Sequence, residues 1–296
     1  MNISFKQLRL WRSLADTGSV GAAAAATHVT QPTASMQLKE ITQAVGLPLY
    51  EVISRRVHLT QAGEALAQTA RAISAEWESF EQHISALKGH QTGRLRLSMV
   101  STAKYFVPRL VGSFCALYPD VEVSLEVLNR DGVVARLRDN MDDLYIMSMP
   151  PPDLSLQDQV FRPNPLVVIA AKSNPLRHSA ALSLSSLKAE KFILREKGSG
   201  TRMAVDRHFK KSRFVPTVRM ALGSNEAIKE AVAGGLGLSV ISSHALGAKP
   251  QSQGLAVLNV RGFPLHSQWH LVCPKAKRLS PVALAFQAHL MQDASI

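Results

Sequence analysis

Five consecutive alanines, Ala22 to Ala26, lie between the pair Gly18-Ser19 and the phrase Thr30-Gln31-Pro32, and they constrain this chain more than any other feature. Alanine has the highest helix propensity, and a run of small side chains lets a second helix cross at short range. Gly18 is placed to end a preceding helix in the left-handed conformation, and Ser19 to cap the next. The preceding helix runs from about Ser4 to Asp16, with Phe5, Leu8, Trp11, Leu14 and Ala15 at helical spacing as its inner face. Thr27-His28-Val29 reads as the turn, with Val29 as its apolar plug. Thr30 then caps a third helix with Pro32 in its first turn, where a missing N–H costs nothing. Along that helix Ala34, Leu38, Ile41 and Val45 point inward, and Gln31, Thr33, Ser35, Met36 and Lys39 point out. Leu49 to Leu59 reads as a two-stranded hairpin with Arg55-Arg56 at its tip. Residues 1–60 thus spell a winged helix-turn-helix.

Such a unit reads double-stranded DNA. Gln31 and Ser35 can hydrogen-bond base edges, Thr33 and Met36 can touch a thymine methyl, and Lys39 suits a phosphate. Arg55 and Arg56 suit phosphate or the minor groove. Taken singly, a polar residue on an exposed helix face is more often merely solvated; with the caps, turn and hairpin, recognition is the better reading. The candidate DNA-binding residues are Thr30, Gln31, Pro32, Thr33, Ser35, Met36, Lys39, Arg55 and Arg56.

The phrases TQPTAS, GLPLY and RVHLTQAGE, together with the glycine–serine and alanine run before them, resemble the LysR-type transcriptional regulators. Three positions depart from that family's usual pattern: Met36 where a basic or polar residue is common, Thr42 where a glutamate is usual, and Val52 where an arginine is usual. Fewer phosphate contacts and an altered site preference are expected.

Residues 61–90 form a connector. Leu66, Ala70, Ile73, Trp77, Phe80, Ile84 and Leu87 alternate spacings of four and three, a heptad seam over three repeats, with Glu64, Arg71, Glu76, Glu78, Glu81 and Lys88 off it. A helix of about 28 residues would be ~42 Å long. It could pack on its own domain, but a strict seam with little around it favours pairing with a second chain. The resemblance implies the same, a homodimer through this helix and a homotetramer overall. GHQTG, ending at Gly93, reads as a hinge.

Residues 91–296 alternate strand and helix signals: strands at 94–100, 121–128, 144–149, 166–171, 191–196, 218–222 and 236–242, and helices near 103–117, 131–139, 184–187, from Thr201, and 225–233. This predicts doubly wound parallel sheets in two lobes with a cleft between them. Ligands in such folds bind beyond strand carboxyl ends, at helix N-termini. Ser101-Thr102 and the loop Gly198-Ser199-Gly200-Thr201-Arg202 meet that rule; Ser224-Asn225 is a third such junction. Glycines allow close approach, Thr201 can hold an oxyanion, and Arg202 supplies a planar fork; the loop could equally be an ordinary strand-to-helix connection. The candidate effector residues are Ser101, Thr102, Gly200, Thr201, Arg202 and Asn225.

Charge adds to this. The formal net charge is +12, yet residues 1–60 hold only six Lys or Arg against three acids. Residues 188–219 hold ten against three, and residues 249–292 contain no acid. An anionic ligand in the C-terminal part fits this as well as DNA does. Cys115 and Cys273 are the only cysteines and read as buried thiols, which fits a reducing cytosol. No apolar run reaches the ~18–20 residues of a membrane span, and the first residues carry no secretory h-region, so a cytoplasmic protein is expected.

STAKYFVPRL, LYPDVEVSLEVLNR, LREKGSGTR and LGSNEAIKEAVAGGLGLSVIS resemble more narrowly the Calvin-cycle branch of the LysR-type family, regulators of RuBisCO and other carbon-fixation operons. The resemblance implies an N-terminal winged helix-turn-helix, a linker helix and a two-lobed α/β effector domain like that of periplasmic binding proteins. It places lobe one at 91–163 and 267–296, and lobe two at 164–266. It implies no tightly held cofactor, but a small anionic effector, a phosphorylated metabolite or NADPH. An enzyme is disfavoured: no HExxH, GxSxG, GxGxxG or P-loop spacing occurs, ten histidines show no ligand spacing, and Asp142-Asp143 reads as a helix-to-strand junction. A plain small-molecule receptor is disfavoured by the N-terminal reader.

Overall fold

The computed structural model describes residues 2–54, 56–87, 92–247 and 249–293. It falls into two compact units, Met1–Leu87 and Lys88–Ile296.

In the first unit, α1 (Phe5–Thr17) begins with Ser4, whose hydroxyl accepts from Gln7 N while the Gln7 side chain accepts from Ser4 N. Gly18, at φ 63°, ends it. Ser19 caps α2 (Val20–Ala26), and Thr30 caps α3 (Gln31–Val45). The hairpin is β1 (Tyr50–Ile53) against β2 (Arg56–Leu59), antiparallel with Tyr50 opposite Leu59. The core gathers Leu10, Trp11, Leu14, Ala23, Ala24, Ala34, Leu38, Ile41 and Leu49. Leu10 replaces Phe5 and Leu8, which are only partly buried, in the expected inner face of α1. The cause is that α1 packs against α2 and α3 and also against α4 (Gln61–Leu87), so its buried arc is wider than one stripe.

α4 divides along its length. Ala67, Ala70 and Ser74 are buried in the first unit's core, so its beginning does pack on its own domain. From Ile73 on, the seam is largely open: Trp77 is 50% and Phe80 54% exposed, and Ile73 and Ile84 are exposed too, with the Trp77 ring resting on Phe5 of α1 at 5.6 Å. The Leu87 side chain and most of the expected hinge, residues 89–91, lie outside the described residues.

The second unit has two lobes. Lobe one is a five-stranded sheet in the order β4-β3-β5-β12-β6, built from β3 (Gly93–Val100), β4 (Val121–Leu128), β5 (Leu144–Met147), β6 (Leu156–Pro163) and β12 (Gln268–Pro274). Its helices are α5 (Val107–Leu117), α6 (Arg130–Arg138) and α9 (Pro281–Asp293). Lobe two holds β7 (Leu166–Ala171) between β10 (Ser239–Ser242) and β11 (Leu255–Leu258), and a pair, β8 (Lys191–Arg195) and β9 (Thr217–Leu222). α7 (Gly200–Lys211) and α8 (Asn225–Ala233) complete it.

The expectation of wholly parallel sheets is corrected. β3 runs parallel to β4 and β5, and β8 to β9, but β12 is antiparallel to β5 and β6, and β7 is antiparallel to both its neighbours. The antiparallel strands arise where the chain changes lobe. Asn164 N donates to the Ser267 carbonyl at 2.8 Å, so the outgoing and returning crossovers lie side by side. The helix expected at 103–117 is also divided: Ser101–Tyr105 is a 3-10 turn, and α5 starts only at Val107, with Pro108 in its first turn.

Asp142 and Asp143 are structural. Asp142 accepts from Ser98 Oγ at 2.7 Å and from both Nε and Nη2 of Arg136 at 2.8 and 2.7 Å. Asp143 accepts from Arg96 N at 2.8 Å, with Lys277 Nζ 3.8 Å away. Burial lowers the Lys277 pKa, which Asp143 and Asp142 partly restore. Cys273 is buried as expected, but Cys115 is only half-buried.

Candidate functional site

Two surfaces carry the chemistry. On the first, α3 presents Gln31, Pro32, Ser35, Met36 and Lys39 to solvent, with Met36 56% exposed. Thr30 and Thr33 are committed locally: the Thr30 hydroxyl accepts from Thr33 N, and the two hydroxyls lie 2.8 Å apart. Their methyls remain for base contact; their hydroxyls hold the helix start. Arg56 is exposed on the hairpin, and Arg55 lies outside the described residues. Of the three departures from the family pattern, Thr42 turns its hydroxyl onto the Leu38 carbonyl (2.9 Å), and Val52 is exposed on β1.

The second lies where the lobes of the second unit meet. Ser101 and Thr102 follow β3, and Asn225 opens α8 behind its cap Ser224. All three converge on Arg195, the last residue of β8, which is 2% exposed. Arg195 Nη1 donates to Asn225 Oδ1 (3.1 Å) and Thr102 Oγ1 (3.4 Å), and Nη2 to Ser101 Oγ (3.2 Å). Nε and Nη2 also reach the Glu196 carboxylate at 2.8 and 2.9 Å. Asn225 Nδ2 closes the ring by donating to Thr102 Oγ1 at 3.2 Å. Sequence reasoning passed over Arg195, which stood inside a strand. Its position at a strand's carboxyl end was the signal that could have found it.

The glycine loop has a different place. Gly200 and Thr201 are buried, and Ser199 caps α7. A side chain at Gly200 would come within 2.9 Å of Ser148 Oγ, and Asp131 N donates to the Gly198 carbonyl at 3.3 Å. The loop thus touches lobe one. Arg202 does not offer its fork there: Nε binds Asp206 at 2.8 and 2.9 Å, and Nη1 the Arg195 carbonyl at 2.9 Å. The guanidinium expected to receive a ligand is spent within lobe two, whereas Arg195, besides its bond to Glu196, reaches Ser101 and Thr102 of lobe one.

A clasp borders the cluster. Tyr105 Oη donates to Glu226 Oε1 at 2.6 Å, and Lys104 Nζ to Oε2 at 2.9 Å, joining lobe one to the start of α8. Burial alone would raise the Glu226 pKa, but hydrogen bonds from Tyr105, Lys104 and Ser224 bring it down to about 2. Burial, and then Glu226 itself, push the Tyr105 hydroxyl up.

Chemically, the cluster is a buried planar cation paired on one side with the Glu196 carboxylate and faced on the other by two hydroxyls and an amide, beside the N-terminus of α8. An oxyanion could displace those neutral partners and gain charge-assisted bonds. Among the described residues there is no group of three His, Cys, Asp or Glu side chains fit to hold a metal, and no helix long and apolar enough to cross a membrane.

Similarity to known proteins agrees with this organisation. The family model described as "Bacterial regulatory helix-turn-helix protein, lysR family" matches residues 5–64, and that described as "LysR substrate binding domain" matches residues 88–295. The HTH-type transcriptional activator CmpR of Synechocystis sp. is 43% identical over 289 residues, covering 98% of this chain and 95% of that one. The RuBisCO operon transcriptional regulator of Acidithiobacillus ferrooxidans is 42% identical, covering 96% and 92%. Among solved structures, the Synechocystis CcmR regulatory domain in complex with 2-PG is 45% identical with a TM-score of 0.66, covering 68% of this chain and 97% of that one. A DNA reader, a seamed helix and a two-lobed sensor, each in its place along the sequence, make this chain a member of the LysR family of DNA-binding transcriptional regulators.

Proposed function

We propose that the chain controls carbon-fixation genes in response to a small anionic metabolite bound between the lobes of its second unit. The observation that carries this is the buried Arg195 guanidinium, held at the lobe junction by Ser101, Thr102 and Asn225. Relatives named for RuBisCO operons, and a CcmR domain holding 2-PG, support a phosphorylated acid over NADPH as the effector. Thr201 and Gly200 would add helix N-terminal amides to the same anion.

The reader would span residues 1–60, the linker 61–90 and the effector domain 91–296, with lobe one at 91–163 and 267–296 and lobe two at 164–266. Two chains would pair along the open seam of α4, and dimers would join as a homotetramer. The exposed Leu117, Val127 and Val218 of the second unit offer apolar area for that contact. The paired readers would set Gln31, Ser35, Met36 and Lys39 into successive major grooves, with Arg55 and Arg56 at the flanking backbone. With chromosomal DNA as its target, the protein would work in the cytoplasm.

DNase I footprinting of the full chain on its own promoter region tests this. Addition of 2-PG should change the length or phasing of protection. A footprint indifferent to 2-PG, other phosphorylated acids and NADPH would remove the effector from the reading and leave only the DNA contact.

A further inference from the structure

A cavity of about 570 Å³ opens between α7, the end of β5 and the crossover that returns to lobe one. Its walls include Arg207, His208 and Lys211 from α7, Ser148 after β5, and His266 and His270 from the return. Arg195, Ser101, Thr102, Thr201 and Asn225 do not line it.

Two acid-poor stretches of the sequence meet here. In residues 188–219 the acids are few, and the structure shows where two of them go: Glu196 binds Arg195 and Asp206 binds Arg202. Arg207 and Lys211 are left without a carboxylate partner among the described residues. The acid-free stretch 249–292 supplies the opposite wall. None of the cavity's lining residues is an acid, and Asp158, which adjoins the lining His270, is held by its Nδ1 at 2.6 Å.

Arg207 and Lys211 stand one helical turn apart, where like charges repel and a bound anion would relieve them. His208 lies between them on α7; burial, and then the nearby Lys211, lower its pKa, so its imidazole is neutral at neutral pH and the charge of the chamber is that of Arg207 and Lys211.

We infer that this chamber is a second anion site, separate from the Arg195 cluster, which takes a compact metabolite bearing two phosphate groups. Its volume suits a small-molecule ligand. Arg207 and Lys211 are two fixed cations one helical turn apart, one for each of two phosphates, with no acid in the lining to compete. Because the walls come from both lobes and the crossover, occupancy would add its own bias to their closure.

Isothermal titration of the full chain with inorganic pyrophosphate tests the site, with inorganic phosphate as the comparison. Pyrophosphate should bind, and more tightly than phosphate. Arg207→Gln with Lys211→Gln should weaken it at least tenfold. Lys188→Gln with Lys210→Gln removes two exposed cations elsewhere in the same basic stretch and should leave binding unchanged. The Arg207/Lys211 variant should keep its footprint response to 2-PG, so failure here and failure of the effector reading are separable. The inference is overturned by absence of pyrophosphate binding at millimolar concentration, by equal loss in the Lys188/Lys210 variant, or by loss of the 2-PG response in the Arg207/Lys211 variant, which would mean one site only.

Discussion

Arg195 Nη2 donates to Ser101 Oγ at 3.2 Å, so the end of a lobe-two strand is fastened to the turn after the first lobe-one strand. A guanidinium can serve Glu196, Asn225 and Ser101 at once because its donors form a planar fork; an ammonium cannot reproduce that geometry. Arg195→Lys should therefore preserve the charge, the fold and the DNA contact while weakening the response to 2-PG at least tenfold. Footprints of wild type and variant across a 2-PG titration, with far-UV circular dichroism as the folding control, measure this. An unshifted response would remove Arg195 from the site.

The Glu226 clasp has a defined pH signature. Its pKa falls from 4.5 to about 2 on folding, so the unfolded chain binds the proton more tightly. The stabilisation is fully present above pH 4.5 and is lost as pH falls from 4.5 towards 2. Glu226→Gln lacks this contribution. The difference in urea midpoint between wild type and variant should be constant above pH 4.5 and shrink to nothing near pH 2.

The Asp142 carboxylate is 2% exposed and answers both Ser98 and Arg136. Asp142→Asn leaves the Arg136 cation without its counter-charge. Breaking a buried pair in this way costs about 3–5 kcal/mol, and the partial exposure of Arg136 (23%) points to the lower end. Denaturant unfolding should show a loss of about 3 kcal/mol for the second unit, with the first unit unaffected.

On the reader, base and phosphate contacts separate by salt. Gln31→Ala and Ser35→Ala should each cost about 1–3 kcal/mol on the cognate site and little on random DNA. Arg56→Ala should weaken binding to both alike and reduce the salt slope by about 1. Gel-shift titrations at several salt concentrations distinguish the two patterns.

Trp77 and Phe80 lie 5.6 Å apart, ring to ring, on the open part of α4, and both are half-exposed. Trp77→Glu with Phe80→Glu should dissociate the assembly to monomers in sedimentation velocity and lower DNA affinity, while the first unit keeps its helical signal. A variant that stays dimeric would place the interface elsewhere.

The reader was legible because its signals are local. Gly18, Ser19, Thr30 and Pro32 each fix a helix boundary within three residues of themselves, and the structure uses all four. The sensor was legible only in its strand–helix repeats. β6 shows mostly exposed residues and so has no apolar signature; β12 follows a long irregular return; α9 spreads its apolar residues round the helix instead of along a stripe. Arg195 and Arg202 are close in sequence, and sequence alone gave no means of telling which guanidinium faces the other lobe. That depends on Asp206, one helical turn beyond Arg202, which draws it away.

Gly63, in the first turn of α4, has no room for a side chain: a Cβ there would come within 1.9 Å of the Leu49 carbonyl oxygen just before the hairpin. Trp11 Nε1 donates to the Gly63 carbonyl at 3.3 Å, and Thr60 Oγ1 to the Pro48 carbonyl at 2.7 Å. The helix root is thus clamped to the body that reads DNA, with no joint between them. A 27-residue helix is a rod ~40 Å long. A twist applied to its far end is carried to the recognition helix, so the rod works as a crank handle, and a side chain at Gly63 would prise the handle from its shaft by driving the helix root off Leu49.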